Sequence, residues 1–106
     1  VLFRSGMFPA NAWGLQDMHG NVLEWCLDDC HRSYERAPTD GSAWVDVEAG
    51  ESKRGEPRTK LLRGGSWLSF PGVCRSAARG HFGPDIAFIN VGFRVVCLPQ
   101  GPSLNT

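Results

Sequence analysis

Three stretches of the chain carry apolar residues at strand spacing, and polar or glycine-rich sequence separates them. The first, NVLEWCL at residues 21–27, sets Val22, Glu24 and Cys26 against Leu23, Trp25 and Leu27. Apolar residues on both sides of that alternation predict a strand buried on both faces, with Glu24 as the exception. A carboxylate there needs a cationic partner, because an unpaired buried charge is costly. Either an arginine, such as Arg63, Arg75 or Arg94, or a bound cation would serve. The second stretch, TKLLRGGSWL at residues 59–68, reads as a strand interrupted by Gly64 and Gly65, where a bulge or a close backbone approach is predicted. The third, NVGFRVVCL at residues 90–98, reads as a last strand.

Residues 68–90, LSFPGVCRSAARGHFGPDIAFIN, read as a loop from their glycines and prolines. This loop nevertheless carries Phe70, Val73, Phe82, Ile86, Phe88 and Ile89, and it contains no Lys, Glu, Gln, Met or Trp. Residues 31–60 are polar and read as a long surface connection, with a short helix predicted at DDCHRSYE (28–35). Residues 99–106 read as a frayed tail.

The chain has 106 residues, enough for one small domain. Thirteen glycines, seven prolines and four tryptophans predict short strands and much irregular backbone, held by buried aromatic anchors. A formal net charge of +0 argues against a nucleic-acid or membrane-surface partner bound by electrostatics. No apolar run approaches the roughly 20 residues that span a bilayer, so membrane insertion is not expected. The cysteines, Cys26, Cys30, Cys74 and Cys97, match no zinc spacing even with His31 beside Cys30, and they read as buried or free thiols. Their spacing fixes neither a disulfide pairing nor a compartment.

The opening VLFRS is the in-frame translation of a common short-read sequencing adapter, GTG CTC TTC CGA TCT. Residues 1–5 are therefore read as adapter sequence, residues 6–98 as the domain and 99–106 as its tail. On this reading the chain is the C-terminal piece of a longer, N-terminally truncated reading frame.

NAWGLQDMHGNVLEWC, LRGGSW, CRSAAR, PD and VGFRVV, in that order, resemble the C-terminal portion of the sulfatase-modifying-factor family, whose best-known member is the formylglycine-generating enzyme. The resemblance implies an α+β fold related to C-type lectins, with little regular secondary structure and a small antiparallel sheet. It also implies a structural calcium ion in DMHGNVLE, with Asp17 and Glu24 as carboxylate ligands and Gly20 and Val22 as carbonyl ligands. Carboxylates and carbonyls around a glycine turn suit calcium, which takes six to eight oxygens.

In the family's oxidases, two cysteines five positions apart after RGGS bind copper. Those positions fall at Ser69 and Cys74 here. A hydroxyl is a poor Cu(I) ligand and one thiolate cannot make the two-coordinate site. Cys74 then reads as a structural thiol, with a catalytic role only if the enzyme reading holds, and copper is not expected.

Within residues 68–90, Pro71, Cys74, Arg75, Ser76, Ala77, Arg79, Pro84 and Asp85 resemble family framework. The others are Ser69, Phe70, Gly72, Val73, Ala78, Gly80, His81, Phe82, Gly83, Ile86, Ala87, Phe88, Ile89 and Asn90. Each can be encoded by a codon ending in a pyrimidine, and such codons never encode Lys, Glu, Gln, Met or Trp. This resembles the variable proteins of diversity-generating retroelements, in which the adenines of AAC or AAT codons are randomised. The resemblance implies a fixed framework with a diversified surface at residues 68–90 that binds a protein or surface ligand. The alternative is an enzyme of the family: a copper oxidase making formylglycine on a sulfatase cysteine, or an iron-dependent relative. His19, His31 and His81 do not show the spacing an iron site needs.

Overall fold

The computed structural model describes residues 5–46 and 58–97. Residues 1–4 of the adapter-like opening, residues 47–57 of the central polar connection and the expected tail lie outside the described residues.

Four short strands form one sheet: β1 (Leu23–Asp29), β2 (Lys60–Arg63), β3 (Gly80–Phe82) and β4 (Val91–Phe93), in the order β3-β2-β1-β4. β1 runs antiparallel to β2, pairing Glu24 with Arg63 and Trp25 with Leu62. β2 runs antiparallel to β3, pairing Leu62 with Gly80. β4 runs parallel to β1, pairing Leu23 with Val91 and Trp25 with Phe93. The sheet is therefore mixed, where a wholly antiparallel one was expected. β2 already occupies one edge of β1, and the long excursion through residues 64–90 returns the chain to the free edge in the same direction as β1. The Leu23 amide donates to Asn90 O at 2.8 Å and starts that parallel ladder.

No α-helix occurs among the described residues; a single 3-10 turn covers Pro71–Val73. The helix expected at residues 28–35 is absent for a local reason. β1 continues through Asp29, whose buried carboxylate is held by Arg58 and Lys60. The chain then turns: the Glu35 amide donates to Ser33 Oγ, and Arg36 has a positive φ of 66°.

The core is small. Cross-strand partners share a sheet face, so Trp25, Leu62, Gly80 and Phe93 line one side. Leu62 sits at its centre, 1% exposed, and is the one fully buried apolar side chain among the described residues. Gly80 lies directly opposite it on β3, with its Cβ position 3.6 Å from Leu62 Cβ. The tryptophans divide: Trp25 and Trp44 are half-buried, while Trp13 and Trp67 are exposed and are not the anchors their residue type predicts.

Candidate functional site

β2 ends at Arg63 because the next two residues, Gly64 and Gly65, adopt left-handed φ values of 89° and 68°. Only glycine takes such a pair of conformations without strain. The close backbone approach expected at this point is present on both sides. A Cβ on Gly64 would lie 3.2 Å from Met18 O, and one on Gly65 would collide with Cys74. The Gly20 amide donates to Gly64 O at 2.7 Å, and His19 Nδ1 lies 2.6 Å from Cys74 O. The glycine turn thus joins the DMHGN loop to the start of residues 68–90.

Ser66, 3% exposed, is the hub beyond that turn. Its amide donates to Ser69 Oγ at 3.0 Å, and the two hydroxyls lie 3.1 Å apart. Asn90 Nδ2 and the Leu68 amide both donate to Ser66 Oγ. Ser69 and Asn90, expected at a ligand-contacting surface, are half-buried, and through Ser66 they hold the two ends of this segment together.

Residues 68–90 were expected to form a loop, but Gly80, His81 and Phe82 within them form edge strand β3. Arg63 fixes the approach to this strand by donating to Ala78 O at 2.8 Å. Arg79 donates to His31 O and lies over the Tyr34 ring, 4.6 Å from its centroid. Of the expected surface positions, Phe70, Gly72, Val73, His81, Ile86, Phe88 and Ile89 are exposed, whereas Ala78, Gly80, Phe82 and Gly83 are half-buried. Phe82 and Phe88 pack as a tilted pair with centroids 5.2 Å apart. Phe70 and Ile89 are the most open, at 84% and 82%. Apolar exposure extends beyond this segment to Leu27, Phe93, Val95 and Val96, so exposure by itself does not mark the site.

The expected calcium ligands Asp17, Val22 and Glu24 line one open cleft of about 400 Å³, together with Gln16, Phe93 and Arg94. The partner Glu24 requires is Arg94. Arg94 Nη2 donates to Glu24 Oε1 at 2.7 Å, and Nε lies 3.2 Å from both carboxylate oxygens. Arg94 Nη2 also donates to Gln16 O at 2.8 Å. Hydrogen bonding to Glu24 raises the Arg94 pKa further. The Asp17 carboxylate accepts the Gly6 amide at 2.6 Å. Both carboxylates are engaged within the chain, and among the described residues no three His, Cys, Asp or Glu side chains are grouped to hold a metal.

A polar anchor that the sequence patterns did not single out closes the far end of β1. Asp29, 3% exposed, accepts from Arg58 Nη2 at 2.6 Å and from the Asp46 amide at 2.9 Å, and pairs with Lys60 Nζ at 2.8 Å. Burial pushes its carboxyl up, but the Arg58 and Lys60 contacts win and hold it at about 2. Nearby, the His31 ring stacks on Trp44 at 3.7 Å and meets the Asp46 carboxylate, so it is spoken for structurally. The described cysteines are free, and burial, with Asp28 nearby, pushes the Cys26 thiol up.

Residues 4–98 match the family described as "Sulfatase-modifying factor enzyme 1-like domain". A formylglycine-generating enzyme from Mycobacterium tuberculosis is 36% identical over 98 residues, covering 89% of this chain and 32% of that protein. A serine/threonine-protein kinase pkn1 from Chlamydia caviae is 34% identical over 91 residues, covering 82% of this chain and 13% of that protein. The solved structure of PvdO from Pseudomonas aeruginosa superposes with a TM-score of 0.72 at 38% identity, covering 84% of this chain and 31% of PvdO. The chain spans about a third or less of these relatives. The same segment thus occurs in proteins with different names.

Proposed function

The chain belongs to the sulfatase-modifying factor enzyme 1-like domain family, and we propose that it is a non-catalytic ligand-display domain within that family, with a C-type-lectin-like fold. The observation that carries this reading is the state of Ser69. It stands where the family's oxidases place one of two copper-binding thiols. Its hydroxyl is committed to the Ser66 amide and hydroxyl, and a hydroxyl is a poor Cu(I) ligand in any case. Cys74, at the other position, packs against Gly65.

The display face consists of Phe70, Val73, His81, Ile86, Phe88 and Ile89, held on a framework of β2, β3 and the Ser66 network. Side chains on such loops change without disturbing the sheet beneath them. That each of these residues can be written by a pyrimidine-ending codon supports diversification by a retroelement. The partner is a protein or surface ligand recognised through shape and apolar contact.

A second reading, a formylglycine-generating oxidase, is favoured by Cys74 itself and by the names of relatives such as the mycobacterial one. Cu(I) titration of the full-length protein separates the two. The display reading expects no tight stoichiometric binding. Tight one-to-one binding that disappears in Cys74→Ala would establish the oxidase reading instead.

A further inference from the structure

We infer that Asn90 is a positioning residue of the display face: it holds Phe88 and Ile89 in one fixed arrangement, and the changeable set ends at Ile89. The inference rests on the display reading for what Phe88 and Ile89 do, and on hydrogen bonding for how they are held. Two turns meet at this point. The Ser69 amide donates to Ser66 O at 2.9 Å, which closes a turn over residues 66–69, and the Val91 amide donates to Phe88 O at 3.2 Å, which closes another over 88–91. Asn90 Nδ2 donates to Ser66 Oγ at 3.0 Å and joins them. The Asn90 carbonyl accepts the Leu23 amide at 2.8 Å. This residue is thus fixed by its side chain to one turn and by its backbone to β1.

Ile89, beside it in the turn, is 82% exposed, and Phe88, 51% exposed, rests on Phe82. Both are open to a ligand while the backbone that carries them is tied down. A face ordered before contact loses less conformational freedom on binding. The Ser66 hydroxyl oxygen accepts from Asn90 Nδ2 and from the Leu68 amide, which fills both lone pairs and leaves its proton for Ser69 Oγ. Residue 90 must therefore supply a short N–H donor. Among the residues that pyrimidine-ending codons encode, Asn alone carries a side-chain amide. Asn90 is also the one asparagine in the changeable set, and so keeps the AAC or AAT codon from which randomisation starts.

The test is amide hydrogen exchange, followed by NMR in the full-length wild-type protein and in Asn90→Ala. The expected result is exchange at the Val91 amide about tenfold faster in the variant, from the loss of one hydrogen bond, with the β1 and β2 amides unchanged. In a Ser66→Ala background the Asn90 substitution should then add nothing. Unchanged exchange at Val91, or acceleration spread equally over β1 and β2, would overturn the inference. If Asn90→Ala does not fold, Asn90→Ser, whose shorter side chain cannot reach Ser66, takes its place. Sequencing of the segment across a population separates this inference from the reading beneath it. Residue 90 should be asparagine in every copy that differs at 88 or 89, and variation at 90 as free as theirs would contradict the positioning role. Uniform residues 88 and 89 would remove the display reading, and the exchange result would still decide whether Asn90 fixes the turn.

Discussion

Gly65 and Cys74 meet where residue 65 has no room for a side chain: a Cβ there would collide with Cys74 Sγ and lie 2.9 Å from its Cα. The contact seats the residue 68–90 segment against the end of β2. It also gives Cys74 a packing role that needs no reactivity.

Gly65→Ala should therefore be among the most damaging single-methyl changes in the chain. The left-handed φ of 68° and the collision add together, for a loss on the order of 2–4 kcal/mol. Urea denaturation of the two proteins measures it. A loss below about 1 kcal/mol would mean that the Gly65–Cys74 contact does not fix the segment.

Ser66→Ala should cost about 1–3 kcal/mol, because it leaves Asn90 Nδ2 and the Leu68 amide without their shared partner, while Ser69 Oγ keeps only the residue 66 amide. Ser69→Ala should cost less, about 1 kcal/mol, because Ser66 keeps its bond from Asn90. Equal losses in the two variants would contradict a hub at Ser66.

Asp29 predicts an acid limb. Its carboxyl is held at about 2, below its ordinary 3.8. Depression of a folded-state carboxyl makes its contribution complete above about pH 4 and lost as pH falls toward 2, for on the order of 2 kcal/mol in all. In Asp29→Asn that part of the pH dependence should disappear, and stability at pH 7 should fall because Arg58 and Lys60 lose their buried partner. An unchanged acid limb in the variant would assign it to other carboxylates.

The residues between 68 and 90 should separate by burial in their response to substitution. Phe70→Asn and Ile89→Asn, at open positions, should change stability by no more than about 0.5 kcal/mol. Phe82→Ala, which removes the ring packed on Phe88 in β3, should cost about 2 kcal/mol or more. Thermal melts of the three variants give the comparison.

The sequence made the framework legible where chemistry is local. Paired glycines after KLLR announced a bulge or a close backbone approach, and the close approach is present at two glycines of left-handed conformation. Glu24 in an apolar strand demanded a cation, and Arg94 is there. What stayed hidden depends on distant partners. Parallel pairing of β4 with β1 has no local signature, because it follows from where the chain returns. Asp29 read as part of a short helix at residues 28–35, since Arg58, 29 residues on, is what makes its burial tolerable. Gly80 and Phe82 carried the turn and apolar character of their neighbours, and only pairing with β2 turns them into a strand. Ser69 and Asn90 read as surface positions because Ser66, which joins them, has no distinguishing pattern.

The central claim is a fixed framework with a changeable face, and sequencing the genomic region encoding residues 62–97 across a population of cells tests it most directly. The account predicts variation concentrated at the codons for open positions such as Phe70, Val73, Phe88 and Ile89. It predicts none at Gly65, Ser66 or Cys74, and a nearby near-copy of the segment that differs at adenines. A uniform segment with no such copy, or variation spread equally over Gly65, Ser66 and Cys74, would contradict it.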